Sequence, residues 1–73
     1  MARFYIIDDA TEDTLEATDS LDEAIRVATE ATRHSQAGGL ISILEYGGMA
    51  VKQYVLLSDG TVAEQAVARH VKR

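Results

Sequence analysis

Cysteine, proline and tryptophan are absent from this 73-residue chain, and its aromatics are limited to Phe4, Tyr5, Tyr46 and Tyr54. The lack of cysteine excludes disulfide staples, thiolate metal sites and a cysteine nucleophile. No apolar run approaches the roughly 20 residues of a membrane helix. The opening Met1–Ile7 stops at Asp8-Asp9, short of the apolar core of about 7–15 residues and the cleavage site of a signal peptide. A cytoplasmic protein without membrane contact is expected. Positive charge is also scarce: 7 Lys and Arg stand against 12 Asp and Glu, for a net charge of -5. That balance argues against a broadly basic nucleic-acid binder. A domain this small draws only about 3–5 kcal/mol from its own core. With no disulfide or evident structural metal to add to that, a protein partner is expected, and a homodimer is one form it could take.

Residues 3–8 are β-branched and aromatic and predict a strand, with Phe4 and Ile6 on one face and Tyr5 and Ile7 on the other. An acidic turn follows, and Thr14–Thr18 alternates as a short returning strand. Ser20-Leu21-Asp22-Glu23 has the spacing of a capping box. Leu21, Ala24, Ile25, Ala28, Ala31 and Thr32 then recur at helical spacing, and Gly38-Gly39 reads as the helix stop. Two apolar runs, 40–46 and 49–57, flank Gly47-Gly48, which predicts a hairpin with a two-residue turn. In that register Leu44 faces Val51, Leu40 faces Val55 and Ile41 faces Tyr54. Both faces of this hairpin carry apolar residues, more than one helix can cover. Beyond the turn at 58–60, Thr61-Val62-Ala63-Glu64 has capping-box spacing and Ala63, Ala66, Val67, His70 and Val71 form a helical stripe. The competing reading is a hairpin at Asp59-Gly60 with a strand over 61–67. The expected fold is a single α+β domain over 1–73: an antiparallel sheet of two hairpins with one packed helix, ββαββ, and a C-terminal helix.

Eight carboxylates lie between Asp8 and Glu23 with no Lys or Arg among them. Asp8, Asp9, Glu12, Asp13 and Glu16 form the candidate binding surface, since such a concentration of charge steers association with a basic partner. The same span has no Gly and lacks the ligand spacing of a calcium loop. Tyr46 and Met49 beside the Gly-Gly turn, with Tyr54 in mid-strand, are further candidate contacts, because Tyr and Met are enriched at interfaces. Arg69, Lys72 and Arg73 in the tail are the residues that could touch phosphates, though they lack neighbouring aromatics for stacking. Glu30 and His34 share a helix face but have no third ligand, so no metal is expected. No Gly-x-Ser-x-Gly elbow or phosphate-cradling loop is present, and neither catalysis nor a cofactor is expected.

Tyr5-Ile6-Ile7 before an acid, Leu15-Glu16-Ala17, Ser20-Leu21 with Ala24, Arg26 and Ala28, the apolar hairpin and Asp59-Gly60 come in an order that resembles small phage anti-CRISPR proteins. Over about residues 1–60 the order is similar to the ninth family of type I-F inhibitors, and the helix start is also similar to that of HicB-type antitoxins. The resemblance implies a hairpin–helix–hairpin fold and a non-enzymatic inhibitor that occludes the backbone subunits of a CRISPR surveillance complex. Basic residues carry much of that contact in the family. Here the matching span is largely acidic, with Arg26, Arg33 and Lys52 among its few cations.

Overall fold

In a computed structural model, residues 2–67 are described, and they form a five-stranded antiparallel sheet with one helix laid across it. The elements in chain order are β1 (Phe4–Asp8), β2 (Asp13–Thr18), α1 (Leu21–Arg33), β3 (Leu40–Glu45), β4 (Met49–Leu56) and β5 (Val62–Gln65). The strands stand in the order β2-β1-β3-β4-β5, which leaves β2 and β5 as edges. After β2 the chain crosses over the sheet as α1 and re-enters on the far side of β1. No helix among the described residues is long and apolar enough to cross a membrane.

The core lies between α1 and one sheet face. Phe4, Ile6, Ile41, Ile43 and Tyr54 are buried against Ala24 and Ala28, with Ile25, Val27, Val51 and Val62 packed around them. Small side chains on the helix permit close approach to the sheet, and Thr32 is tolerated at full burial because its hydroxyl donates to the Ala28 carbonyl at 2.7 Å. Tyr5 and Ile7 take the other face, as the alternation predicts.

The helix begins as expected. Ser20 caps it, its Oγ accepting from the Glu23 amide at 3.2 Å. The reciprocal half of the capping box is not made: the Glu23 carboxylate pairs with Arg26 instead. The end differs too. The helix stops at Arg33, well before Gly38-Gly39, because the His34 and Ser35 amides bend back to the Ala31 and Thr32 carbonyls and the Ser35 hydroxyl takes the Thr32 carbonyl at 2.8 Å. The last turn is closed by side chain and backbone, and Gly38 serves the following turn at φ +84°.

In the β3–β4 hairpin, Leu40 faces Val55 and Ile41 faces Tyr54 as predicted, but Leu44 faces Ala50. The turn holds three residues, Tyr46-Gly47-Gly48, and the register is restored by a bulge at Val51. Leu15 is the equivalent extra residue opposite β1.

The expected C-terminal helix is replaced over 62–65 by β5, so the order is ββαβββ. Gly60, at φ +89°, donates to the Leu57 carbonyl, and the Leu57 amide donates to the Thr61 carbonyl to close a second β4 hairpin. The Thr61 hydroxyl, expected to cap a helix, is bonded to the Asp59 carboxylate. Pairing with the outer edge of β4 and packing of Val62 on the core outweigh the helix preference of the alanines. His70 and Val71 lie outside the described residues.

Candidate functional site

The acidic surface sits on the β1–β2 hairpin, and its five carboxylates have different roles. Asp8 Oδ1 accepts from the Ala10 amide at 3.0 Å and shapes the turn. Glu12 closes that turn in the left-handed region, at φ +63°, with its amide on the Asp8 carbonyl. Asp13 stands directly opposite Asp8 across the two strands, and Glu16 opposite Ile6. Like charges opposed in this way repel and favour a cation nearby. Glu12, Asp13 and Glu16 are exposed, and Leu15 between them is 44% exposed.

The described cations are already committed elsewhere. Among the described residues, Arg3 pairs with Glu45 (2.9 Å), Arg26 with Glu23, Arg33 with Glu30 (2.8 Å) and Lys52 with Glu64 (3.0 Å). None of these pairs involves Asp8, Asp9, Glu12, Asp13 or Glu16. The β2 edge therefore offers unpaired backbone groups, an apolar side chain and carboxylates without an ion-pair partner among the described residues.

Asp9 does not belong to that surface. Its half-buried carboxylate turns onto the sheet face opposite the helix and accepts from Ser42 Oγ at 2.9 and 3.0 Å. Gln53 Nε2 donates to Ser42 Oγ at 3.0 Å and lies 3.4 Å from Asp9 Oδ2. Ser42 is only 2% exposed as a result. Every member is satisfied, so the cluster fastens β1 to β3 and β4. Ser42 and Gln53 were not recognisable in advance as partners of Asp9; the pairing of Ser42 with Gln53 across the β3–β4 hairpin was the only signal.

Tyr46 and Met49 project from the hairpin tip, 67% and 69% exposed. Tyr54, expected beside them as a contact, is instead a core residue at 4% exposure: its place in β4 falls on the helix side, opposite Ile41. Burial pushes its hydroxyl pKa up, and the nearby Glu64 charge adds to the shift. The hydrogen bond and charge of Glu64 also hold the Lys52 ammonium above the usual lysine range. Asp59 is held below the usual carboxylate range by the Thr61 hydroxyl and amide.

A shallow cleft of about 340 Å³ lies where the β1–β2 turn meets the end of α1, lined by Asp8, Thr11, His34, Ser35 and Leu40 among others. No protein family, curated protein or solved structure matches this chain. Among the described residues no three His, Asp or Glu side chains gather as metal ligands, and Glu30 and His34 engage each other at 3.5 Å. Arg69, Lys72 and Arg73, the candidate phosphate contacts, lie outside the described residues.

Proposed function

We propose that this chain is a non-catalytic protein-binding module whose docking element is the free edge of β2, and that it takes a basic, extended segment of its partner. The observation that carries this reading is the distribution of charge. The four described cations are each occupied by an acid elsewhere, while Glu12, Asp13 and Glu16 line an exposed strand edge with no such partner among the described residues. Strand addition supplies main-chain hydrogen bonds, Leu15 supplies an apolar anchor, and the carboxylates select a basic sequence. Tyr46 and Met49, at the tip of the other hairpin, would extend the contact. Occlusion of a multisubunit defence complex, the activity implied by the anti-CRISPR resemblance, is a role that such a module could perform without chemistry.

The test is capture from a lysate of the source organism with the wild-type chain and with Glu12→Lys/Asp13→Lys/Glu16→Lys, each first shown to fold by circular dichroism. Wild type is expected to retain a partner that the triple variant loses, and a partner held equally by both would sink the β2 reading. Asp9 is left unchanged, because reversing it would break the cluster with Ser42 and Gln53.

A further inference from the structure

The sheet face away from α1 has an inverted pattern. An antiparallel sheet with one solvated face ordinarily sends its charged residues to that face. Here the five strands contain six charged residues, Asp8, Asp13, Glu16, Glu45, Lys52 and Glu64, and the registers place all six on the helix side, around the rim of the core. The face that no helix among the described residues covers has three rows. Tyr5 and Leu44 lie between Ala17 and Ala50; Thr14, Ile7, Ser42, Gln53 and Gln65 run alongside; Leu40, Val55 and Ala63 form the third, with Asp9 next to Leu40. Asp9, which turns onto this face, is tied down by Ser42 and Gln53.

We infer that this face is the interface of a homodimer, in which two copies stack sheet on sheet. Three features select a second copy of this chain as the occupant. First, the pattern is self-complementary. A two-fold axis along the middle, mostly polar row lays Leu44 of one copy over Leu40 of the other, Ala50 over Val55 and Tyr5 over the tied-down Asp9, with polar row over polar row. A two-fold interface requires this kind of self-match. Second, the net charge of -5 does not oppose it. The exposed charges lie on the helix layer and the turns, so stacking at the usual ~10 Å between sheets leaves them on the outside of the pair. Third, the size suffices. The described chain measures 34 × 32 × 21 Å along its principal axes, so its largest outline, at most roughly 1,000 Å², is of the order of the ~800 Å² per partner buried in a stable interface. The proposal is independent of the reading of β2, whose edge stays open in such a dimer.

The test is sedimentation equilibrium over low to high micromolar concentration, together with thermal unfolding at several concentrations. Wild type is expected to sediment at twice the monomer mass and to melt at a temperature that rises with concentration. Leu44→Glu and Val55→Glu each place a carboxylate twice in the interface. Each is expected to raise the dissociation constant about 100-fold or more, while far-UV circular dichroism stays native. Asp22→Lys, on the exposed helix surface, leaves the dimer intact. A wild-type monomer throughout the range overturns the proposal and assigns the face to a different occupant. So does a dimer that persists in both folded face variants, or one that is broken by Leu15→Glu on the β2 edge and not by them.

Discussion

The two faces of the sheet are made from neighbouring residues of the same strands, and they differ in what completes them. On the helix side Ile6 and Ile43 are fully buried beneath Ala24 and Ala28, and the charges form a rim around them. On the other side Tyr5, Ile7, Leu40, Leu44 and Val55 are only half-buried, and no charged side chain is turned outward from the strands. The described residues supply one helix for two apolar faces. The covered face is finished within the monomer, and the open one has the composition of a face that is finished by association.

The sharpest way to break that comparison is to truncate adjacent residues on opposite faces. Ile43→Ala is expected to cost about 3 kcal/mol, within the range for emptying a core site. Leu44→Ala, one residue on, is expected to cost about 1 kcal/mol or less in dilute solution, since part of that side chain is already in water. Denaturant unfolding of both variants measures the difference. Equal costs would mean that the two faces are equally complete. A Leu44 cost that grows with protein concentration would tie the open face to self-association.

The next largest effect concerns the polar centre of the open face. Asp9→Ala removes the acceptor of the buried Ser42 hydroxyl and one contact of Gln53, and is expected to cost about 1–2 kcal/mol. Asp9→Asn, which keeps an acceptor, should cost less than half of that by the same unfolding measurement. An Asp9→Ala chain as stable as wild type would return Asp9 to the acidic surface as a free charge.

Asp9 also shows where the sequence stops being legible. Periodicity identifies β1, α1, the β3–β4 hairpin and the face that each residue takes, because burial there follows local alternation. Three things escape it. Both bulges escape, because nothing at Leu15 or Val51 distinguishes an inserted residue from a paired one; for the same reason Gly47-Gly48 alone suggests a two-residue turn where Tyr46-Gly47-Gly48 forms a three-residue one. The strand at 62–65 escapes in part, standing only as the competing reading over 61–67, since Ala63 and Ala66 favour a helix locally and the unpaired edge of β4 overrides them. The separation of Asp9 from Glu12, Asp13 and Glu16 escapes because it depends on contacts 33 and 44 residues away, to Ser42 and Gln53. The exposure of Tyr46 and Met49 was legible from the glycines beside them; the burial of Tyr54 required knowing which face the helix would cover.

The smallest effect separates the faces by pH. Tyr54, buried on the helix side, has a raised pKa, first from desolvation and then from Glu64. The folded chain therefore keeps this proton to a higher pH than the unfolded chain does. The resulting stabilisation is fully present below the ordinary tyrosine value of about 10, and is lost as pH rises through the folded value. Lys52, raised by its bond to Glu64, acts with the same sign at the exposed rim of the same face. Stability should thus be flat across neutral pH with respect to both groups and decline in alkali. Tyr54→Phe keeps the ring in the core and removes the hydroxyl, so its stability should decline less steeply than wild type above about pH 10. Unfolding curves for the two chains in that range decide the matter: identical alkaline slopes would mean that the Tyr54 hydroxyl is solvated in the fold, and that the core beneath α1 is less closed at the β4–β5 end than its burial indicates.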